Sequence, residues 1–391
     1  MSIGYSIQAM RILYILKHNP WGIGGGCYAC KNYLEAFITS LPEAEFEICV
    51  NDEYLYSMHR DAIAPRVHFL PVPARSLLCK VGAPITGILH RYQKVALEQI
   101  RNRHYDYCIF DHNSIAGSLV KACHNAGIRT IVIHHNCEAD YFRDNTPFLM
   151  KRMLLLPQVK RCERNAFLNC DYNIFLTEED LHTFEQLYGK AHGKNIVGGC
   201  FYPKNGKRDS TLQPFHKDHI FIAITGTMGN VQNLDGLNYF VDQLYPLLPQ
   251  KGVDIIMAGK NPPADFVSKV RSYPNIEIIA NPKDMDEILS KCDLYICPTR
   301  LGGGMKLRVM DGLRNGLPVI AHKVSGRGYL PFARQGYLYA YETSEEFAMV
   351  YTQLVAKIKD KRITKMQIKE EANDVFDFFK VSSKIFSNIF D

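Results

Sequence analysis

The sequence lacks any run of about 18 uncharged apolar residues, the length that a membrane-spanning helix requires. Its start, MSIGYSIQAMRILYIL, has no basic segment ahead of an apolar core and a cleavage site, so no secretion signal is expected. The 12 cysteines are scattered without the spacing of a disulfide framework. These absences predict a cytoplasmic protein with reduced thiols.

The sequence also has only a small excess of positive over negative charge. The net charge is +6 over 391 residues, which is too small for a dedicated nucleic-acid-binding protein. The apolar fraction of 47% and the charged fraction of 22% are typical of folded globular proteins. Because the chain is longer than most single domains, we expect two domains of roughly 150–200 residues and no nucleic-acid partner.

Two stretches concentrate positive charge beside apolar residues. Residues 60–104 contain eight Lys or Arg and two acids, and residues 145–161 (NTPFLMKRMLLLPQVKR) contain four cations and no acid. Such stretches are typical of surfaces that contact anionic lipid or an anionic substrate. A solvated helix face for the first stretch and a buried core helix for the second explain the sequence equally well. Peripheral contact with the inner face of a membrane is therefore one of two open predictions.

The first half of the chain alternates strands and helices. An apolar strand at 11–16 (RILYIL) precedes a loop with Gly24, Gly25 and Gly26, and then an amphipathic helix. Further strands are predicted at 46–50, 105–110, 129–134 and 171–176, with a helical segment at 114–126. This alternation predicts a doubly wound parallel sheet.

The second half repeats the alternation after a polar stretch at 203–218, which we interpret as the domain linker. The predicted elements are strands at 219–225, 254–259, 276–280, 294–298 and 318–322, helices at 234–248, 264–272, 284–291 and 305–315, and a closing helix at 368–390. The prediction is therefore an α/β fold with two Rossmann-like domains.

The segment TRLGGGMKLRVMDGLRNGLPVIAH (299–322) places three glycines between a predicted strand end and a helix that starts near Met305. Gly302, Gly303 and Gly304 leave backbone amides open at a helix N-terminus, which favours an anion such as a phosphate. Lys306 and Arg308 add positive charge beside these amides.

A polar stripe on this predicted helix joins Gly304, Arg308, Asp311 and Asn315 and is expected to face an open cleft. Asp311 lies two turns from the glycines, where a carboxylate accepts hydrogen bonds from a diol such as ribose. An ion pair between Asp311 and Arg308 explains the same spacing equally well.

Several ordered motifs across residues 11–330 carry a family resemblance. GTMGNVQNLDGLNYFVDQLYPLL, IIMAGKNPP and CDLYICPTRLGGGMKLRVMDGLRNGLPVIAH resemble the donor-binding half of family 4 of the retaining glycosyltransferases, which have the GT-B fold. HHNCEADYFR and ERNAFLNCDYNIFLTEED resemble the first domain of the same family. The resemblance implies two Rossmann-like doubly wound domains facing across a cleft. They comprise residues 1–205 for the acceptor and 206–367 for the nucleotide sugar, with a helix, 368–391, that crosses back to the first domain.

The resemblance also implies which residues form the site. The implied nucleotide-sugar-binding residues are Gly24, Gly25, Gly26, Gly226, Lys260, Arg300, Gly302, Gly303, Gly304, Met305 and Asp311, and the implied catalytic residues are His135, Lys306 and Arg308. Asp311 matches the second carboxylate of the family's Glu-x7-Glu motif, but Gly303 stands where the first Glu is expected. GTMGNVQN also lacks the Arg and Lys that many members carry. The resemblance therefore implies that Lys260, Lys306 and Arg308 neutralise the negative charge of the diphosphate.

His135 follows a predicted strand end and matches the position where relatives place a histidine near the transferring sugar. His134 still belongs to the apolar strand and is the poorer candidate. Members of the family retain anomeric configuration without a bound metal, so neither a metal nor another cofactor is expected.

The predicted function is a retaining glycosyltransferase that moves a sugar from a UDP- or GDP-sugar to a glycan or lipid-linked glycan, in surface polysaccharide biosynthesis. The alternatives are a non-catalytic nucleotide-binding scaffold of a polysaccharide assembly complex and a nucleotide-sugar epimerase of the same fold.

Three other motifs carry less weight. Gly24-x-Gly26-x-x-Ala29 resembles a dinucleotide fingerprint, but HNPWGI separates it from the strand, which argues against an NAD-dependent dehydrogenase. Cys27-x-x-Cys30 has no second ligand pair at zinc spacing. Asp284-x-Asp286 is interpreted as a helix cap formed by Asp284 with Glu287 rather than as a metal motif.

Overall fold

The computed structural model describes residues 9–22, 25–51, 53, 66–74, 82, 91–146, 148–204 and 212–390. Contacts divide the chain into two compact units. The first unit comprises the residues up to Gly199 together with those from Val381 onward, and the second comprises residues 200–380. Gly24 and, within the basic stretch at 60–104, residues 60–65, 75–81 and 83–90 lie outside the described residues.

The first unit is built on one parallel sheet. Its elements are β1 Arg11–Leu16, α1 Gly25–Ser40, β2 Glu45–Asn51, β3 Val67–Val72, α2 Tyr92–Asn102, β4 Tyr107–Asp111, α3 Asn113–Ala116, α4 Val120–Asn125, β5 Arg129–His134, α5 Glu138–Asn145, α6 Leu149–Asn169, β6 Tyr172–Phe175, α7 Glu178–Tyr188 and β7 Lys194–Val197. The strand order is β3-β2-β1-β4-β5-β6-β7, and neighbouring strands pair in parallel. The central strands read as continuous apolar runs because helices cover both faces of such a sheet.

The second unit repeats this plan with six strands. Its elements are β8 Ile220–Thr227, α8 Val231–Tyr239, a π-helical turn Phe240–Leu244, a 3-10 turn Tyr245–Leu247, β9 Val253–Lys260, α9 Ala264–Val270, β10 Ile276–Ala280, α10 Met285–Leu289, β11 Leu294–Cys297, α11 Arg308–Arg314, β12 Val319–His322, α12 Leu330–Gln335, β13 Leu338–Tyr341, α13 Ser344–Lys359, α14 Lys365–Val375 and the start of α15 Phe378–Phe390. The strand order is β10-β9-β8-β11-β12-β13, again parallel throughout.

Each sheet has one point where the strand order reverses, between β1 and β4 in the first unit and between β8 and β11 in the second. In doubly wound sheets, the crevice beyond the carboxyl ends of the strands at this point is where ligands bind. The predicted pair of doubly wound Rossmann-like sheets is confirmed.

The two edge strands of the first unit's sheet were not predicted from the sequence. β3 contains Pro71, which cannot donate to a neighbouring strand and is tolerated at a sheet edge. β7 has the sequence KNIV, which is too short and polar to stand out as a strand. The sequence prediction also omitted β13, α12 and α13.

The closing helix predicted at 368–390 is two helices, α14 and α15. The backbone N–H of Lys380 donates to Asp377 Oδ1 at 2.9 Å, so Asp377 starts a new helix. Within the first unit, Phe386 packs edge-on against Phe37 with 4.8 Å between ring centroids. No described helix is long and apolar enough to cross a membrane.

Candidate functional site

In the second unit, the carboxyl end of β8, the first turn of α8 and the end of β11 with the residues after it surround Arg308. A pocket beside this residue is lined by Ile224, Thr225, Gly226, Met228, Asn233, Leu237, Pro298, Thr299 and Arg308. Gly226 has a φ of 144°, and a Cβ built there would lie 2.6 Å from Arg308 Nη1. The glycine therefore lets the guanidinium lie directly against the end of β8.

The guanidinium of Arg308 is held by neutral partners. Nη1 donates to Asn233 Oδ1 at 2.5 Å, Nη2 donates to the hydroxyl of Thr299, and Nε lies 3.3 Å from Cys297 Sγ. No carboxylate forms an ion pair with Arg308 among the residues that the structure describes. Since an arginine stays protonated, this pocket carries an uncompensated positive charge.

The segment between β11 and α11 differs from the prediction. The helix begins at Arg308 and not near Met305, so the three glycines precede it by several residues. Gly302 and Gly304 have φ values of 79° and 71°, a left-handed conformation that interrupts a right-handed helix. Lys306 Nζ donates to the carbonyl of Gly303 at 2.8 Å, and Met305 is buried.

Gln232, in the first turn of α8, lies against the glycine segment. A Cβ built on Gly302 would lie 2.2 Å from Gln232 Nε2, and the φ of 79° is one that residues with side chains rarely adopt, so the position favours glycine. Gln232 Nε2 is buried and has no hydrogen-bond partner among the described residues. Glycine backbone beside an amide donor that has no partner is suited to binding an anionic oxygen.

Asp311 pairs with Arg314 and not with Arg308, which corrects one of the two predicted partners. Arg314 Nη2 lies 3.3 Å from Asp311 Oδ1 and 2.9 Å from Asp286 Oδ1. The Asp311 side chain keeps 41% of its surface accessible. Desolvation by the surrounding protein is the main reason that the pKa of Asp311 is raised to about 6. The charge of Arg314 lowers this pKa, and the charge of Asp286 raises it.

The remainder of the predicted polar stripe is not open. Asn315 is 1% exposed and donates to Asp286 Oδ1 and to the carbonyl of Asp311, both at 2.9 Å. Asp284 caps α10 as predicted, but it accepts from the N–H of Asp286, and Glu287 pairs with Lys291 instead.

Two further predicted cations lie near the strand ends. Lys260 is the last residue of β9 and pairs in register with Thr227. Arg300 makes two hydrogen bonds to the carboxylate of Asp235, at 2.8 and 3.1 Å, and lies over the ring of Tyr239 at 4.6 Å. The charge of Arg300 is therefore already compensated.

In the first unit, three histidines meet at the β1–β4 reversal. We call His18, His112 and His135 the histidine cluster. The rings of His112 and His135 stack with 4.4 Å between centroids, and His18 contacts His112 edge-on at 5.0 Å. His135 follows β5, as predicted, whereas His134 is fully buried and stacks on Phe175 at 4.3 Å.

An ion pair lies beside the histidine cluster. Lys17 Nζ lies 3.0 Å from Glu138 Oε1, which in turn lies 2.9 Å from His112 Nδ1. Burial and then the charge of Lys17 lower the pKa of His18 to about 4 and also lower that of His112. Burial alone would raise the pKa of Glu138, but Lys17 and His112 together hold it well below its usual range. At neutral pH this region therefore holds neutral rings of His18 and His112 beside one ion pair.

Asp111 orients His135. Its Oδ1 lies 2.7 Å from His135 Nε2, and its Oδ2 has no hydrogen-bond partner among the described residues. Because a carboxylate accepts, His135 Nε2 is the donor of this hydrogen bond. Potential metal-ligand atoms of Cys30, Asp111 and His135 lie within 4.8 Å of one another. These three residues are therefore where the prediction that the protein binds no metal can be tested.

Of the predicted glycines in the first unit, Gly25 and Gly26 are the first residues of α1 and not part of a loop. Glycine at 26 leaves room for a neighbouring ring, since a Cβ there would lie 3.2 Å from His18 Cδ2. The structure thus brings Gly26 to the histidine cluster.

The sequence prediction missed Lys17, His18, Asp111 and His112. Asp111 and His112 directly follow the buried strand residues YCIF, and His18 follows β1. The argument that selected His135, a polar residue at the carboxyl end of a buried strand, would have selected these residues as well.

Comparisons with known proteins show what this geometry resembles. Residues 221–357 match the family model of Glycosyl transferases group 1. This match confirms the predicted resemblance to that group within the second unit, and the solved structures below confirm the predicted GT-B fold.

One curated relative and two solved structures illustrate the likeness. An uncharacterized 44.6 kDa protein in the cps region of Klebsiella pneumoniae is 22% identical over 77% of this chain and 72% of that protein. Sucrose-phosphate synthase from Thermosynechococcus elongatus covers 97% of this chain and 98% of its own at 12% identity and a TM-score of 0.66. Anabaena HepE in complex with UDP-glucose covers 97% and 99% at 14% identity and a TM-score of 0.63.

Proposed function

We propose that this protein is a retaining, metal-independent glycosyltransferase that moves a sugar from a UDP- or GDP-sugar to a glycan or lipid-linked glycan. The observation that carries the proposal is the uncompensated guanidinium of Arg308 at the β8–β11 reversal. A partly buried cation without a carboxylate partner is stabilised when an anion completes it. A nucleotide diphosphate supplies that anion.

Other residues of the second unit fit the same ligand. We assign Gly226 and Gly302 to Gly304 to the diphosphate site, because Gly226 lies against Arg308, and Gly302 lies against Gln232, whose amide has an unused donor. Lys260 and Lys306 are further cations for the developing negative charge of the leaving group. Met305, which is buried, belongs to this binding segment.

Asp311 and Arg300 have less direct roles in the proposal. The accessible part of the Asp311 carboxylate accepts hydrogen bonds from the ribose hydroxyls, with Arg314 holding it in place. Arg300 reaches the donor only if it leaves Asp235, so we assign it the smallest share of the binding energy.

In the first unit, we assign His135 to the transfer step, with Gly24 to Gly26 beside the acceptor. The departing diphosphate itself takes the proton of the acceptor hydroxyl, and Arg308 and Lys306 stabilise its charge. Removal of one such cation is expected to cost a few kcal/mol of barrier.

The acceptor proposal rests on the genetic setting of the Klebsiella pneumoniae relative, whose name places it in a cps region. A surface polysaccharide under construction is therefore the acceptor that we favour. UDP bound in the Anabaena HepE structures supports a uridine nucleotide as the first donor to examine.

A thermal-shift screen of nucleotide diphosphates and their sugars tests the proposal. We expect one base to stabilise the full chain, by about 2.7 kcal/mol at 100 times its dissociation constant. The absence of stabilisation by every nucleotide in the panel would contradict the donor assignment.

A further inference from the structure

The two halves of α6 have different surroundings. From Val159 onward the helix packs into the first unit through Val159, Cys162, Glu163, Ala166 and Phe167, all of which are buried. Residues 149–158 include no buried side chain. The interpretation of 149–156 as a buried core helix is therefore wrong. Leu156 is partly buried and packs against the core of the first unit, whereas most of the other side chains in this half of the helix are exposed.

The exposed half is strongly apolar. Phe148, Leu149, Met150, Met153 and Leu154 are 72%, 59%, 76%, 67% and 55% exposed, and we call these five residues the apolar tip. Single exposed hydrophobic residues are ordinary on a protein surface, but five within seven positions form a patch. Such a patch is typical of an interaction site.

Positive charge continues the same face of α6. Met150, Met153, Pro157, Lys160, Arg161 and Arg164 follow one another at intervals of three, four or one residues, which places them on one side of a helix. Lys160, Arg161 and Arg164 are exposed, and we call them the basic collar. None of the three forms an ion pair within the described part of the chain.

The neighbouring acids do not neutralise this surface. Asp140 and Asp144 of α5 are paired with Arg143, at 2.8 and 3.0 Å. Glu163 lies on the buried side of α6, where its carboxylate accepts from the N–H of Glu138 at 2.5 Å. The collar therefore keeps its positive charge.

The spacing of tip and collar matches the layers of a lipid surface. The helical rise puts Arg161 about 16 Å from Met150 along the axis, and the tip itself spans about 9 Å. Apolar side chains of interfacial helices enter the headgroup and acyl boundary by about 5–10 Å, and cations behind them meet the lipid phosphates. A second copy of this chain would instead bring the same cations and no acid to the contact.

We propose that the apolar tip and the basic collar of α6 dock this protein on an anionic lipid bilayer, without crossing it. The tip supplies apolar insertion and the collar supplies attraction to negatively charged headgroups. The inference stands on the exposed surface of the first unit and does not depend on the proposed transferase activity.

Co-sedimentation of the full chain with vesicles tests this docking surface. The vesicles contain phosphatidylcholine alone or with phosphatidylglycerol, at low and at high salt. We expect binding to the anionic vesicles at low salt only, because salt screens the collar. Met150→Glu with Met153→Glu, and separately Lys160→Glu with Arg161→Glu, are each expected to lower partitioning at least tenfold.

The matched control is Met349→Glu with Met366→Glu, since both methionines are 55% exposed on helices of the second unit. This pair is expected to bind vesicles like the wild type, and circular dichroism checks that all variants fold. Equal loss in the control, or binding that ignores lipid charge, would overturn the proposal. A lipid-free dimer that the tip variant dissociates would overturn it as well and assign the tip to a second copy.

Discussion

Replacing Arg308 by Gln removes the charge of the pocket while keeping an amide that can donate to Asn233 or Thr299. A hydrogen bond from a charged group to a phosphate contributes roughly 1.5–3 kcal/mol, so we expect the dissociation constant of the nucleotide diphosphate to rise about 10- to 150-fold. The folded protein without ligand is expected to lose little stability, because Arg308 has no carboxylate partner among the described residues.

The ligand-induced stabilisation shows the difference directly. At 100 times the wild-type dissociation constant, ligand stabilises the wild type by about 2.7 kcal/mol. A 100-fold weaker variant at the same concentration gains only about 0.4 kcal/mol. For a unit of this size we expect a thermal shift of about 5–10 °C to fall to about 1 °C.

Isothermal titration calorimetry and thermal unfolding of Arg308→Gln measure both quantities. Arg362→Gln is the control, since Arg362 is an exposed cation of the same unit paired with Asp360. Unchanged nucleotide affinity in Arg308→Gln, together with a large loss of stability without ligand, would refute the reasoning and make Arg308 a structural residue.

Three further predictions concern carboxylates. The wild type should lose nucleotide-sugar affinity as the pH falls through about 6, because Asp311 becomes protonated. Asp311→Asn should bind more weakly at pH 7.5 and lack this pH dependence, and calorimetry at several pH values measures both effects. Asp111→Asn should lower kcat at least about tenfold and shift the pH profile of kcat, with KM little changed, because the neutral amide no longer places a negative charge beside His135 Nε2. Burial raises the pKa of Glu163 to about 7, so folding takes up a proton between about pH 4.5 and 7. Unfolding free energy should therefore fall by about 3 kcal/mol as pH rises across that window, and denaturation of Glu163→Gln should show a flatter profile.

Strand positions followed from the sequence because buried parallel strands are continuous apolar runs. The run RILYIL became β1, and the strand at 129–134 was predicted with the bounds of β5. The edge strands β3 and β7 gave no such signal, since one side of an edge strand needs neither apolar residues nor hydrogen-bond donors. The fold class was therefore accessible from the sequence, whereas the edges of the first unit's sheet were not.

The partners of the site residues were harder to predict. Arg308 is bound by Asn233, which lies 75 positions away in the sequence, and only the folded β8–β11 reversal brings the two together. The start of α11 depended on left-handed glycines, whose φ values the sequence permits but does not fix. Asp111 was accessible in principle from its place after a buried strand.

The release of nucleotide diphosphate from donor sugars measures the central claim most directly. The full chain is incubated with each UDP- and GDP-sugar that binds, with and without a glycan acceptor, and free nucleotide is quantified. The account predicts slow release from one donor alone, faster release with acceptor, and almost none for Arg308→Gln. No release from any bound donor would indicate a scaffold, and conversion of the sugar to an isomer without transfer to an acceptor would indicate an epimerase, so either result would contradict the account.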